Sequence, residues 1–537
     1  MKFNQFDYPS GRSNVIARHG LVATSQPLAA QAGLDILKAG GNAVDAAVAT
    51  AAALCVVEPC STGIGGDAFA LIWWQPDKRL YGLNASGPAP AGLTVDWIRK
   101  QGYQQMPLRG AIPITVPGSL RGWQMVLDRF GSLELKQLLR SATAYAENGF
   151  PVSQLIARAW KRSTGLMSQN PDSYRCWLPG GRAPRAGELF SNPEFARTLE
   201  TLASDGPDAF YGGQIARQIV SSVQKEGGVL SLEDMASFQA EWVNPIAIEY
   251  RPGVRFHEIP PNGQGLTALL ALNLMRGFDI SDLEYGSADY YHVLIEATKL
   301  AFADAAAFIA DPRATDVPVE GLMQDTYTRD RRKLIDPELA KLPIAGRPSG
   351  NGETVYLTVA DEDGNMVSWI QSLYMGFGSG ITAGTTGIQL HNRGANFVLE
   401  DGHPNQVSPG KRPYHTIIPG FITRDGQPWC SFGVMGGFMQ PQGHLQVGIN
   451  LVDMAMDPQS ALDAPRFNWL EERKVALESP IPDNVRADLL QRGHVLIARA
   501  EIGRHQFGGG QIIVRDPESG ILIGGSEPRN DGAAAGW

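Results

Sequence analysis

Apolar positions recur every three to four residues from Ala29 to Ala39, and Gly40-Gly41 then interrupts the pattern. This is the signature of an amphipathic helix closed by residues free to take positive φ. Asn42 stands where its side chain can cap a second helix, predicted by the nearly unbroken apolar run to Val57. A glycine turn, STGIGGD (Ser61 to Asp67), follows, and Ala68 to Trp74 reads as a strand. Helical spacing returns in Leu120 to Phe130, Leu133 to Asn148, Pro193 to Ser204, Ile215 to Glu226 and Ser287 to Phe308. The segment GPDAFYGG (Gly206 to Gly213) is expected to be a turn. The first 345 residues or so thus read as helix-rich with short strands.

The pattern changes near Asp336 to Glu353. DPELAKLPIAGRPSGNGE is rich in proline, glycine and charge, which predicts an exposed, mobile loop. Beyond it the apolar period shortens to two. TVYLTVAD and NMVSWIQSL alternate around EDGN and read as a hairpin. TIIPGFIT and WCSFGVM flank a turn at Asp425-Gly426, and HVLIARA, GGQIIVRD and GILIGGSE are three further candidate strands. One helix, about Gln442 to Met456, interrupts them. No internal repeat is present.

Composition narrows the function classes. The net charge is −9, so no general phosphate-binding surface is indicated. Hydrophobic residues at 43% and charged residues at 19% describe a globular chain. Glycine, 61 of 537 residues, runs well above the usual ~7% and points to tight turns and a backbone-lined site. The longest apolar stretch, Ala46 to Val57, falls short of the ~20 residues a bilayer needs. Four cysteines (Cys55, Cys60, Cys176, Cys430) form no C-x-x-C and no disulfide framework, and the first 20 residues lack an apolar signal region. A cytoplasmic protein is expected.

Several chemistries lack their residues. The nine histidines show no H-E-x-x-H or H-x-H spacing, so no metal is expected. GIGGD follows a predicted helix, whereas a dinucleotide loop follows a strand, and no Walker motif occurs; no cofactor is expected. No G-x-S-x-G is present. The cysteines stand in packing contexts, although spacing alone leaves a cysteine nucleophile open.

The Gly352-Glu353-Thr354 junction is more suggestive. A threonine opens a β-strand directly after a glycine-rich linker. Ordinarily that is a β-branched strand residue and nothing more. It also suits an N-terminal nucleophile, whose hydroxyl attacks the preceding carbonyl and whose freed α-amine then serves as base. With a pKa of about 7.7–8.0, that amine is partly neutral at working pH. On these residues alone, Thr354 is one candidate among several.

Longer blocks decide between them. GGNAVDAAVATAAALCVVEPCSTGIGGDAF (Gly40 to Phe69), VPGSLRGW (Val116 to Trp123), ETVYLTVADEDGN, GFGSGI, GKRPYHTIIP, GVMGGF, DAPRF (Asp463 to Phe467) and the terminal GGSEPRNDGAAAGW span nearly the whole chain. In this order they resemble the gamma-glutamyltranspeptidase family of N-terminal nucleophile hydrolases. The resemblance implies an α+β fold, a four-layer αββα sandwich. It implies self-cleavage between Glu353 and Thr354 into a large subunit, 1–353, and a small subunit, 354–537. The two would stay together as a heterodimer, which can pair further into a dimer of heterodimers. Thr354 falls on the nucleophile, Gly436 and Gly437 on the oxyanion hole, and Ser372 on the hydroxyl that hydrogen-bonds the nucleophile.

The departures from the family pattern bear on substrate. The stretch expected to supply an Arg for a γ-glutamyl α-carboxylate, LNASGPAP (Leu83 to Pro90), has none. The acidic residue expected to bind the α-ammonium is Asn396. The paired serines become His415 and Thr416, and an asparagine becomes Tyr374. Arg393, three residues before Asn396, is either a surface arginine or a fork for a substrate carboxylate. A carboxylate clamp without an ammonium clamp suits a small acid amide. The resemblance is to the family branch that converts oxamate to oxalate and ammonia. Gamma-glutamyl hydrolysis or transfer, an acylase, and a catalytically silent relative are the alternatives.

Overall fold

The computed structural model describes residues 12–343, 352–498 and 503–537. Two seven-stranded antiparallel sheets lie at its centre. One runs in the order Val15–Ala17, Leu522–Ser526, Gly509–Arg515, Gln427–Met435, Gly420–Arg424, Val254–Glu258 and Ile246–Arg251. The other runs Ala533–Gly536, Gly20–Thr24, Glu353–Asp361, Met366–Tyr374, Asp67–Trp74, Arg79–Ala85 and Glu241–Val243. Each sheet draws strands from both sides of residue 354.

Strand alternation makes the layers. In Glu353–Asp361, Val355, Leu357 and Val359 face outward into a core shared with the helices Pro27–Lys38, Ala43–Val57 and Ser119–Phe130. Tyr356 and Ala360 face the opposite way, packing with Phe421 and Ile513 of the other sheet. That second sheet buries its far face, including Phe432 and Ile512, under Gly265–Met275, Ala288–Phe308 and Met439–Val452. The result is the four-layer αββα sandwich.

Helix Ala43–Val57 shows how sequence sets this packing. All of its residues are buried, and Asn42 accepts from the Val44 and Asp45 amides while Asp45 returns the contact to the Asn42 amide. Its alanines permit close approach: a methyl group on Gly33 of the preceding helix would sit 2.1 Å from Thr50 Oγ1. The expected Leu133-to-Asn148 helix is instead two, Leu135–Leu138 and Arg140–Asn148. Within GPDAFYGG the expected turn is a short helix, Asp208–Gly212, with Phe210 and Tyr211 fully packed into the core. TIIP in the expected TIIPGFIT strand lies outside the Gly420–Arg424 strand. Residues 344–351 of the expected linker lie outside the described residues, as does the end of HVLIARA; the described part of HVLIARA pairs at Val495–Leu496. Among the described residues no helix is long and apolar enough to cross a membrane.

Candidate active site

Thr354 is the second residue of the strand Glu353–Asp361 and lies where the pairing register shifts, between Glu353 and Val355. The strand pairs with Met366–Tyr374, and that hairpin brings Ser372 beside Thr354. Thr354 Oγ1 donates to Ser372 Oγ at 3.1 Å, and Ser372 Oγ donates to the Glu353 carbonyl at 2.9 Å. The Tyr374 amide donates to Ser372 Oγ at 2.7 Å. One donor and two lone pairs exhaust a hydroxyl, so Ser372 is fixed between the candidate nucleophile and the carbonyl it would attack.

Gly436 and Gly437 end the strand Gln427–Met435 and lead into helix Met439–Val452, with φ of +132° and +60°. Neither conformation suits a side chain. The amides of Met439 and Gln440 and the side chain of Gln264 take the two glycine carbonyls, leaving a turn at the positive end of a helix. Gly352 lies against it: a methyl group there would meet Gly437 Cα at 3.0 Å.

Thr354 and Gly436 border a cavity of about 280 Å³ that also takes in Glu58, Arg162, Ile156 and Asp531. Ser25 Oγ donates to Glu58 at 2.6 Å. Burial pushes the Glu58 carboxyl up to about 8, so it is mostly neutral at pH 7. Burial also raises the Glu353 carboxyl, with Arg162, 3.3 Å away, opposing the shift.

The residues expected to bind substrate form a second, buried cluster. Arg393 is fully buried, which overturns the surface reading; its Nη1 donates to Thr416 Oγ1 at 2.8 Å and its guanidinium lies 4.6 Å over the Tyr374 ring. Burial lowers its pKa to about 10, with Asp67 opposing. His415 Nε2 meets Asp67 Oδ2 at 3.0 Å. Burial and the nearby Arg393 drop His415 to about 3, so it is neutral and donates to that carboxylate. Gln264 Nε2 donates to both the Thr416 and Gly437 carbonyls, linking this cluster to the glycine turn. Asn396, half-buried in the same 3-10 turn as Arg393, is tied to Asn405 through its carbonyl. Sequence reasoning missed Asp67, Gln264 and Glu58. The acid in GIGGD was visible, but its partners lie far away along the chain.

One group with metal-ligand character lies away from this cavity. His292, Glu296 and His494 bring their ligand atoms within 4.8 Å of one another. Lys299 holds Glu296 at 2.6 Å, and His292 spends one nitrogen on His494 and the other on the Asp336 carbonyl. Glu296 and both His292 nitrogens are thus engaged within a buried polar network, and His494 Nδ1 is left without a partner among the described residues.

A four-layer αββα sandwich of two antiparallel sheets between helices is the architecture of the N-terminal nucleophile hydrolases. The sequence matches the family Gamma-glutamyltranspeptidase over residues 29–537. The chain belongs to that family and is an autoprocessed amidohydrolase. In structure it is similar to cephalosporin acylase from Bacillus halodurans, at 49% identity and TM-score 0.94, covering 99% of this chain and 98% of that one. It is 39% identical to the glutathione hydrolase-like YwrD proenzyme of Bacillus subtilis over 97% of this chain and 99% of that one. It is 35% identical to the oxamate amidohydrolase proenzyme of Klebsiella pneumoniae over 98% and 100%.

Proposed function

We propose that the chain cuts itself between Glu353 and Thr354, and that the freed Thr354 then hydrolyses the amide of a small carboxylic acid, with oxamate as first choice. The observation that carries the cleavage is the Ser372 hydroxyl, bonded at once to Thr354 Oγ1 and the Glu353 carbonyl. Thr354 Oγ attacks the Glu353 carbonyl carbon while its proton moves toward Ser372. The Ser372 hydroxyl stabilises the oxygen as it gains charge. The C–N bond breaks, the Thr354 nitrogen takes the proton, and an ester joins Glu353 to the side chain of Thr354. Water splits the ester and leaves a carboxylate on Glu353 and an amine on Thr354. Fragments 1–353 and 354–537 stay together because both sheets take strands from each.

In turnover the Thr354 α-amine accepts the hydroxyl proton as Oγ attacks a substrate amide, and returns it to the leaving ammonia. The amides of Gly436 and Gly437 hold the oxyanion, and water then releases the acid from the acyl-enzyme. Arg393 supports an acid substrate: its Nε and Nη2 make no hydrogen bond among the described residues, although the side chain is fully buried. Asn396 offers no charge to an α-ammonium. The oxamate amidohydrolase relative, spanning 98% of the chain, supports the same choice.

A second reading, an acylase, draws on the likeness to cephalosporin acylase and on the apolar wall of the Thr354 cavity, including Leu155, Ile156 and Met435. An ammonia-release screen over small acid amides, run beside gamma-glutamyl compounds and acylated cephalosporin nuclei, tests the choice. Oxamate or a close homologue should be the best substrate. Faster turnover of the bulky acyl groups would favour the acylase.

A further inference from the structure

The buried cluster around Arg393 has a hub outside the expected substrate-binding residues. Asp67 opens the strand Asp67–Trp74 and is the cross-strand partner of Ser372, one strand from Thr354. It is fully buried. Its Oδ1 accepts from the Gly87 amide at 3.2 Å. Three cationic or N–H-bearing groups converge on its Oδ2: His415 Nε2 at 3.0 Å, His391 Nδ1 at 3.2 Å and Arg393 Nε at 3.6 Å. Of these only His415 is aligned as a hydrogen bond; His391 spends its other nitrogen on the Thr115 carbonyl at 2.9 Å.

A guanidinium wholly out of water is costly unless a counter-charge stands close and its N–H groups are used. Asp67 supplies the charge but takes no hydrogen bond from Arg393. Thr416 takes one N–H, and Tyr374 covers the face of the group. Among the described residues nothing accepts from the Nη2 edge. A buried donor without an acceptor is a vacancy in the hydrogen-bond account that a ligand carboxylate would fill.

We propose that Asp67 is a positioning residue for substrate specificity: it holds Arg393 charged and in place, through a buried ion contact, so that the free guanidinium edge can seat a substrate carboxylate. This rests on the acid-amide reading and adds to it the residue that makes the seat. Asp67 hydrogen-bonds the Gly87 amide and His415, and not Thr354. Its effect passes through Arg393, while His415 and His391 stand against the same carboxylate oxygen.

The test uses the processed enzyme and the variants Asp67→Asn, Arg393→Met and the pair. The readout is the ratio of kcat/KM for oxamate to kcat/KM for acetamide, its uncharged counterpart. Asp67→Asn should lower that ratio at least tenfold, mainly through KM for oxamate. On the Arg393→Met background it should change the ratio no further. Equal losses on both amides would overturn the proposal and make Asp67 structural, as would an unchanged ratio.

Calorimetric binding of the carboxylates oxalate and glutarate to the processed enzyme gives a readout independent of turnover. Wild type should bind at least one of them, and Asp67→Asn at least tenfold more weakly. Should Asp67→Asn fail to fold, Arg393→Met must abolish that binding by itself. Binding of neither anion to wild type removes the seat. Binding without oxamate hydrolysis leaves the seat standing and removes the oxamate reading instead.

Discussion

Ser372 Oγ stands 3.1 Å from Thr354 Oγ1, on the adjacent strand of one hairpin, and simultaneously donates to the carbonyl that precedes Thr354. In the proposed mechanism the same hydroxyl relays the Thr354 proton and polarises the Glu353 carbonyl. Ser372→Ala should slow self-cleavage by about 10²–10³-fold, the cost of one lost oxyanion donor. Ser372→Thr, which keeps the hydroxyl, should retain most of the rate. Band intensities on denaturing gels over time after synthesis check both.

Gly436 has φ +132°, and a methyl group there would meet Gly508 Cα at 3.1 Å. Gly436→Ala should destabilise the protein by about 1–3 kcal/mol, the usual cost of such a strained residue. It should also turn the amides proposed to hold the oxyanion out of line. Thermal melts and kcat measured on the processed enzyme report the two effects separately.

Gly352 rests against Gly437 with no room for a branched side chain. Gly352→Val should delay self-cleavage by at least tenfold, because its methyl groups displace the glycine turn or the scissile strand. Once processed, the variant should regain nearly wild-type kcat, since residue 352 belongs to the fragment end. A time course of cleavage followed by an assay of the separated mature enzyme distinguishes the two stages.

Glu58 makes stability depend on pH in a predictable direction. Its folded pKa of about 8 exceeds the ordinary 4.5. Between those values the unfolded chain has lost the proton that the folded chain keeps, so this group lowers stability as pH rises. The full effect is on the order of 5 kcal/mol. Glu58→Gln, made in the uncleavable Thr354→Ala background, should flatten the fall in stability from about pH 4.5 to pH 8, within that order of magnitude. Urea denaturation at several pH values checks the slope.

Legibility followed the range of the interactions involved. The Asn42 cap, the helix to Val57 and the hairpin around EDGN are set by residues a few positions apart, and these were readable. The strands Gly20–Thr24 and Arg79–Ala85 were not, since GLVAT and RLYGLNA are short and carry weak alternation. They become strands because neighbours on both edges take their backbone groups. GPDAFYGG reads as turn residues, yet Phe210 and Tyr211 gain enough from burial to wind it into a helix. At the site, Thr354 was a candidate on its own context, and the family resemblance added Ser372 and Gly436-Gly437 as candidates. The burial of Arg393 was not legible, because its counter-charge, Asp67, lies more than 300 positions earlier in the chain.

Intact-mass measurement with N-terminal sequencing of the purified protein, beside Thr354→Ala, tests the central claim most directly. The wild type should yield two fragments, the smaller beginning Thr354-Val355-Tyr356, while the variant stays a single inactive chain. A wild type that remains whole, a cut at any other bond, or a variant that still divides and turns over amides would contradict the account.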